Sequence, residues 1–304
     1  MSDLPSVHLD KLQSAIANDK TPGADKERLE QARAKYQSWI EAMKQVVGTP
    51  EQCIADLVRH YNDYRAFIDL ELIFDSPHDF LYRQKGQLKL DNSVLEEFLP
   101  WLVTPKVIPE LTGSKLSLGP RSCFSAAYFA SSLASPLTGG GLTLRSKDQD
   151  FALAMPIYLR SSHLADFSQA ETKSTFLAYV AAECKTNLDK TMFQEACSTA
   201  RDVKGAVTGA KYLVLCEWLD MTPVSTAATD IDEVLILRGK RLGSNVRKDF
   251  DTVAKRAARR PEYADFLAAR PARVEVFARF VAHVRKIFSN ELPEEQDVLL
   301  RGYF

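Results

Sequence analysis

Glu183 and Lys185 stand two residues apart in Ala182-Glu183-Cys184-Lys185-Thr186, at the end of an apolar stretch. Side chains of an extended strand alternate between faces, so the carboxylate and the ammonium share one face while Cys184 takes the other. The carboxylate offers hard oxygen ligands to a cation such as Mg2+, and the ammonium can orient a water or offset charge on a phosphate. One carboxylate is a thin site for a metal. The chain supplies another in Lys147-Asp148-Gln149-Asp150-Phe151. Asp150 directly abuts an alternating apolar run and is ranked first; Asp148 stands as the alternative ligand.

The surrounding pattern says which elements would bring these groups together. Phe151, Leu153, Met155, Ile157 and Leu159 alternate with a period of two, as in a strand with one buried face. Pro156 cannot donate to a ladder and predicts an edge or a bulge there. A polar stretch, Ser161 to Lys173, precedes a second apolar run, Phe176 to Cys184. An antiparallel pair of these runs sets the start of the first strand beside the end of the second, so Asp150 faces Glu183 and Lys185. Leu188, Met192, Ala196, Thr199 and Val203 then recur at helical spacing, with Asn187 as the expected cap and Gly205 and Gly209 as punctuation. Tyr212 to Cys216 and Val234 to Leu237 are continuous apolar runs, expected of strands buried on both faces. Strand, strand, helix, strand, strand makes an α/β core with the site at one edge.

On these residues the chain resembles the PD-(D/E)xK nuclease superfamily, and within it BbvCI-like type II restriction endonucleases that cut short asymmetric DNA sites. The resemblance rests on Lys147 to Phe151, on the longer run Ala182 to Ala196, and on Gly119-Pro120-Arg121-Ser122-Cys123-Phe124-Ser125 ahead of the core. It covers roughly residues 116 to 237. It implies a central mixed β-sheet flanked by helices and Mg2+-dependent hydrolysis of double-stranded DNA at a short sequence. Asp150 and Glu183 would hold the metal with the backbone carbonyl of Cys184, and Lys185 would be the catalytic lysine. No proline precedes Asp150, a departure from the family's name motif. A homodimer or heterodimer to cut both strands and a cognate DNA methyltransferase follow from the same resemblance; a cytoplasmic setting is the default expected from the cysteine usage. The other readings are a repair or structure-specific nuclease of the same superfamily and a non-catalytic DNA-binding subunit.

Composition is that of an ordinary soluble protein: 304 residues, 45% apolar, 26% charged, net charge −1. The charge is unevenly spread. Residues 238–286 carry fourteen Lys and Arg against five Asp and Glu, which suggests a basic face for phosphates whose affinity falls with salt. Ordinary solvated helices are the plainer reading. Five cysteines without CxxC spacing are expected reduced, and neither a membrane span nor an N-terminal signal is expected. Leu29, Ala32, Tyr36, Ile40 and Met43 form one helical stripe, and a second helix is expected to start at Pro50 after the Gly48-Thr49 turn. The expected division is a helical N-terminal region (1–100), a nuclease core (101–245) and a basic helical C-terminal region (246–304).

Other polar residues carry less. His163 falls in a polar loop, and the five histidines lack zinc spacing. Ser122 and Ser125 lack a nucleophile-elbow frame. Gly139-Gly140-Gly141 reads as a joint rather than a phosphate loop. Gln194 is placed on a solvated helix face, and Glu96, Glu97 and Glu110 on the surface, although related nucleases sometimes place an extra acid ahead of the core.

Overall fold

The computed structural model describes residues 4–288 and Leu299, so the far end of the expected C-terminal region lies outside the described residues. Five helices lead: α1 (Val7–Ala17), α2 (Gly23–Lys44), α3 (Pro50–Ala66), α4 (Asp79–Gln84) and α5 (Asn92–Leu102). α3 begins at Pro50, whose missing N–H costs nothing in a first turn. Thr49 caps it reciprocally: its hydroxyl accepts from the Gln52 N–H, and the Gln52 side chain accepts from the Thr49 N–H. The helix then widens into π-helical turns over Phe67–Phe74, which carry Asp69 into the interior.

The sheet has five strands in the order β1-β2-β3-β4-β5: Ser117–Phe129, Leu142–Ser161, Glu171–Leu188, Lys211–Leu219 and Glu233–Lys240. β1, β2 and β3 are antiparallel neighbours, whereas β3, β4 and β5 run parallel. α6 (Lys190–Ala206) makes the crossover from β3 to β4 that a parallel pair requires. Asp189 caps it, accepting from the Met192 N–H at 2.9 Å, in place of the expected Asn187. Asn187 is still in β3, paired with Trp218, and Leu188 ends the strand rather than opening the helix.

β1 is a strand that the alternation did not announce. Gly119, Pro120 and Ser122 are poor strand formers, and the ladder is irregular between Gly119 and Arg121. Pro156 pairs with Phe176 on β3. On its other flank β1 has ended, its last register pair being Ser117 with Ala154, so the proline costs no hydrogen bond there.

Two apolar clusters sandwich the sheet, and the period-two pattern sorts residues between them. Phe151, Leu153, Val180, Ala182, Leu213 and Leu215 face the N-terminal helices. Ala152, Ala154, Ala181, Val214 and Cys216 face α6, meeting Phe193, Ala196, Ala200 and Val203. Among the described residues four helices follow the sheet: α7 (Ser244–Lys248), α8 (Val253–Ala258), α9 (Arg260–Ala268) and α10 (Val274–Phe288). α10 completes the first cluster, its Phe277 edge-on to Tyr61 and Phe98 and its Phe280 edge-on to Phe151.

At least ten of the fourteen basic residues of 238–286 stand in ion pairs, among them Arg238–Asp69, Arg256–Asp79, Arg260–Asp75 and Arg285–Glu110. These four pairs fasten β5, α8, α9 and α10 to acids of the N-terminal half, while the other six are local or reach Asp220 and Glu233. Arg256 is buried and also donates to the carbonyls of Phe74 and Phe250.

Candidate active site

β2 and β3 pair as far as Phe151 and Ala182 and then separate. Upstream of Phe151, β2 keeps only β1 as its partner, with Gln149 opposite Arg121 and Asp148 opposite Ser122. Downstream of Ala182, β3 pairs with β4, Glu183 opposite Val214 and Lys185 opposite Cys216. Asp150 sits where the two strands part. One of its carboxylate oxygens accepts the Cys184 N–H at 2.9 Å, taking the place a β2 carbonyl would have held.

Glu183 and Lys185 project to one face as their spacing requires, with Lys185 Nζ 2.5 Å from Glu183 Oε1 and both side chains about a quarter exposed or less, at 20% and 25%. Tyr212 on β4 donates to Glu183 Oε2 at 3.4 Å. From the other side of the sheet α5 brings Glu96, which accepts from Asn92 Nδ2 at 2.6 Å and lies 3.5 Å from Lys89 Nζ. Lys89 holds a left-handed backbone, φ 52°, in the turn that launches α5.

The electrostatics are those of crowded acids. Burial, then the charges of Glu96 and Glu183, push the Asp150 carboxyl up to about 6, against the Cys184 N–H and Lys89, which pull it down. Burial opposes the charge of Lys185, but the hydrogen bond and charge of Glu183, with Asp150 and Glu195, outweigh it and hold the ammonium above its ordinary range. Burial and the neighbouring acids Asp150, Glu96 and Glu183 push the Cys184 thiol well up, which makes it an inert side chain.

The structure therefore brings together Asp150, Glu183 and Lys185 and adds Glu96, Lys89 and Tyr212. Asp148 is exposed, two residues beyond the point where the strands part. Gln194 is exposed on α6, His163 is exposed in the β2–β3 loop, and Glu110 is exposed and 3.8 Å from Arg285. The placement of Glu96 and Glu97 on the surface is wrong: they are 3% and 1% exposed. Glu97 reaches the opposite way, accepting the N–H of His8 at 2.7 Å and the hydroxyl of Tyr36. Nothing local in the sequence distinguishes these acids from a solvated helix face; α5 is buried nearly all round, and its apolar content was the available signal.

Among the described residues no group of three or more His, Cys, Asp and Glu is arranged to hold a metal ion. Two carboxylates, Asp150 and Glu183, are the side-chain donors at the point where the strands part, both with the hard oxygens that suit Mg2+.

The profile of the Bpu10I restriction endonuclease family matches residues 87–304, from the turn before α5 to the last residue. The chain belongs to this family. It is a type II restriction endonuclease, a site-specific deoxyribonuclease. Among solved structures the fold is similar to one described as the native BbvCI A2B2 tetramer at low resolution, with a TM-score of 0.55 and 15% identity over 96% of this chain and 100% of that one. No curated protein matches the chain. The matched stretch takes in Lys89, Glu96, Asp150, Glu183 and Lys185 of the restriction endonuclease, and leaves α1 to α4 outside.

Proposed function

We propose that the restriction endonuclease hydrolyses phosphodiesters of double-stranded DNA at the point where β2 and β3 part, with Mg2+ held by Asp150, Glu183 and the backbone carbonyl of Cys184. The observation that carries the reading is the Asp150 carboxylate on the Cys184 N–H, which sets the acid against Glu183-Cys184-Lys185. A residue's N–H and C=O leave an extended strand on the same side, so the Cys184 carbonyl turns toward Asp150 as well. The donor set suits a divalent cation: crowded carboxylates that hold the Asp150 carboxyl at about 6 are what a bound dication relieves. When bound, Mg2+ supplies a Lewis acid that offsets negative charge on the phosphate. Lys185, held as an ammonium, acts as a donor rather than a base: it orients the attacking water or binds a phosphate oxygen as charge develops. Glu183 sets the position of that ammonium through their 2.5 Å contact. Glu96 stands by as a further acid on the far side of Asp150.

Cutting both strands calls for two such centres, so the protein works as a homodimer or a heterodimer, and a cognate DNA methyltransferase protects the host sequence. The solved neighbour is described as an A2B2 tetramer, which accords with assembly from several subunits. The five unpaired cysteines suit a cytoplasmic setting. Among the described residues no helix is long and apolar enough to cross a membrane.

Lys185→Ala is expected to lower Mg2+-supported plasmid cleavage on the order of 100-fold or more with DNA binding retained. Glu183→Gln should remove cleavage together with the heat of Mg2+ binding in calorimetry. Cleavage left intact in Lys185→Ala would end the assignment.

A further inference from the structure

Tyr212 is the second residue of β4 and is fully buried. Its backbone is clamped by Asp232: the Tyr212 N–H donates to Asp232 Oδ2 at 2.8 Å, and the Asp232 N–H donates to the Tyr212 carbonyl at 2.9 Å. Lys204 and Lys211 hold that carboxylate in turn, at 3.1 and 3.2 Å. The ring belongs to the apolar cluster under α6, with Phe193, Ala196, Ala200 and Val203. In the parallel ladder Tyr212 pairs with Ala181, which faces the same cluster. Glu183, two residues on, projects to that face as well.

Phenylalanine would serve the packing equally well, so the hydroxyl is what needs a reason. A buried hydroxyl costs free energy unless it is bonded. This one accepts from Thr199 on α6 and donates to Glu183 Oε2 at 3.4 Å, a long contact of the kind that tightens at catalytic centres once the ligand is in place. Lys185 takes the other oxygen, Oε1, at 2.5 Å. One donor leaves a carboxylate free to turn about its last torsion, which is broad. Two donors, one on each oxygen and from neighbouring strands, fix its plane and leave each oxygen a further lone pair. The two anchors differ in permanence. Lys185 is a quarter exposed, rides on a flexible four-carbon stem and is wanted by the water or the phosphate. Tyr212, locked between β4 and α6, is the donor that stays when Lys185 turns away.

We infer that Tyr212 is a positioning residue for the reaction: its hydroxyl keeps the Glu183 carboxylate in one orientation for the cation, whether or not Lys185 remains on the other oxygen. The inference rests on the assignment of Glu183 as a metal ligand. Tyr212 touches neither the metal nor the DNA; its effect passes through Glu183, as that of a residue behind a ligand does.

Tyr212→Phe removes one oxygen and keeps the ring. In the full-length variant, the melting temperature in metal-free buffer is expected to stay within a few degrees of the parent, and DNA binding in that buffer to be unchanged. Mg2+ should bind about tenfold more weakly by calorimetry without DNA. The Mg2+ concentration for half-maximal plasmid cleavage should rise by the same factor, and excess Mg2+ should restore the rate to near that of the parent, a rescue that a general loss of structure does not show. Thr199→Val, which withdraws the bond from α6, should shift the half-maximal concentration the same way by a smaller factor, and it carries the test if Tyr212→Phe does not fold. Unchanged Mg2+ affinity in folded Tyr212→Phe, or in Thr199→Val where that variant stands in, overturns the role and leaves the catalytic centre in place. A rate that excess Mg2+ does not restore also overturns it, because the hydroxyl would then act other than through metal binding at Glu183. The parent's heat of Mg2+ binding retained in Glu183→Gln would instead remove the catalytic assignment beneath it.

Discussion

Two clusters of charge lie in this protein, built from the same kinds of side chain and arranged to opposite ends. Under the N-terminal helices Arg65 forks onto Glu217 at 2.6 and 2.8 Å and reaches Asp69 at 2.6 Å, while Arg238 meets Asp69 at 3.2 Å and Tyr61 donates to Glu217 at 2.6 Å. Two cations balance two anions. Burial alone would raise both carboxyls; Arg65 and Arg238 hold Glu217 below its ordinary range, while burial still leaves Asp69 raised. Where β2 and β3 part, Asp150, Glu183 and Glu96 face only Lys185 and Lys89, and among the described residues no cation pairs with Asp150. The first cluster is closed and neutral; the second is short of positive charge and open. A cluster that holds a fold together satisfies itself, and one that awaits a cation does not.

The largest effect expected from this contrast is on stability, in the closed cluster. Arg65→Met strips both acids of their main partner while leaving them buried, and should destabilise the fold by about 3–5 kcal/mol. Removing Glu217 as well, in Arg65→Met/Glu217→Met, should recover much of that loss, because no uncompensated charge then remains beside Tyr61. Urea unfolding of the two variants checks it. A single variant within about 1 kcal/mol of the parent would mean that Asp69 and Glu217 find other partners.

How far each cluster could be read beforehand follows from how local its signal is. Asp150, Glu183 and Lys185 were legible because strand alternation converts a spacing of two into a shared face, and because an alternating run on either side of a polar loop forces an antiparallel return. The whole β2–β3–α6–β4–β5 order followed from such runs. β1 was not legible, since Gly119, Pro120 and Ser122 hide its alternation. Neither the Arg65–Glu217 pair, 152 residues apart, nor the approach of Glu96 to Asp150 has any local signature. The basic surplus of the C-terminal segment was visible, but its ion pairs with Asp69, Asp75 and Asp79 were not.

Adjacent glutamates on α5 sharpen the comparison. Glu96 faces the open cluster, whereas Glu97 turns to the start of α1 and is pushed up to about 7 by burial, against the bonds from Tyr36, His8 and Leu9 that pull it down. Between its ordinary 4.5 and about 7 the folded protein keeps a proton that the unfolded chain has released. The stability this confers is full below about 4.5 and is lost as pH climbs through 7. Glu97→Gln keeps the neutral form at every pH, so it should be more stable than the parent at pH 8, by up to about 3 kcal/mol, and equal to it near pH 4. Unfolding free energies at the two pH values decide it: parallel pH profiles for the two proteins would show that Glu97 is not the titrating group.

In the open cluster the sign of a charge deletion should reverse. Asp150→Asn cannot ligate a cation as a carboxylate does, and cleavage should be lost. Yet without metal the same change removes the acid that burial, Glu96 and Glu183 disfavour, while the amide oxygen still accepts from the Cys184 N–H. Because the folded-state value of about 6 lies above the ordinary 3.8, ionised Asp150 costs stability at neutral pH. Allowing for partial exposure, the variant should gain about 1–2 kcal/mol in metal-free buffer at pH 8 and lose that advantage as pH falls toward 4, where both are neutral. Mg2+ should stabilise the parent and leave the variant unmoved, since binding only to the folded state is what shifts its unfolding. Thermal unfolding with and without Mg2+ is the measurement. An Asp150→Asn protein less stable than the parent at pH 8 would place Asp150 among the closed, structural charges, and the distinction between the two clusters would fail at its most exposed point.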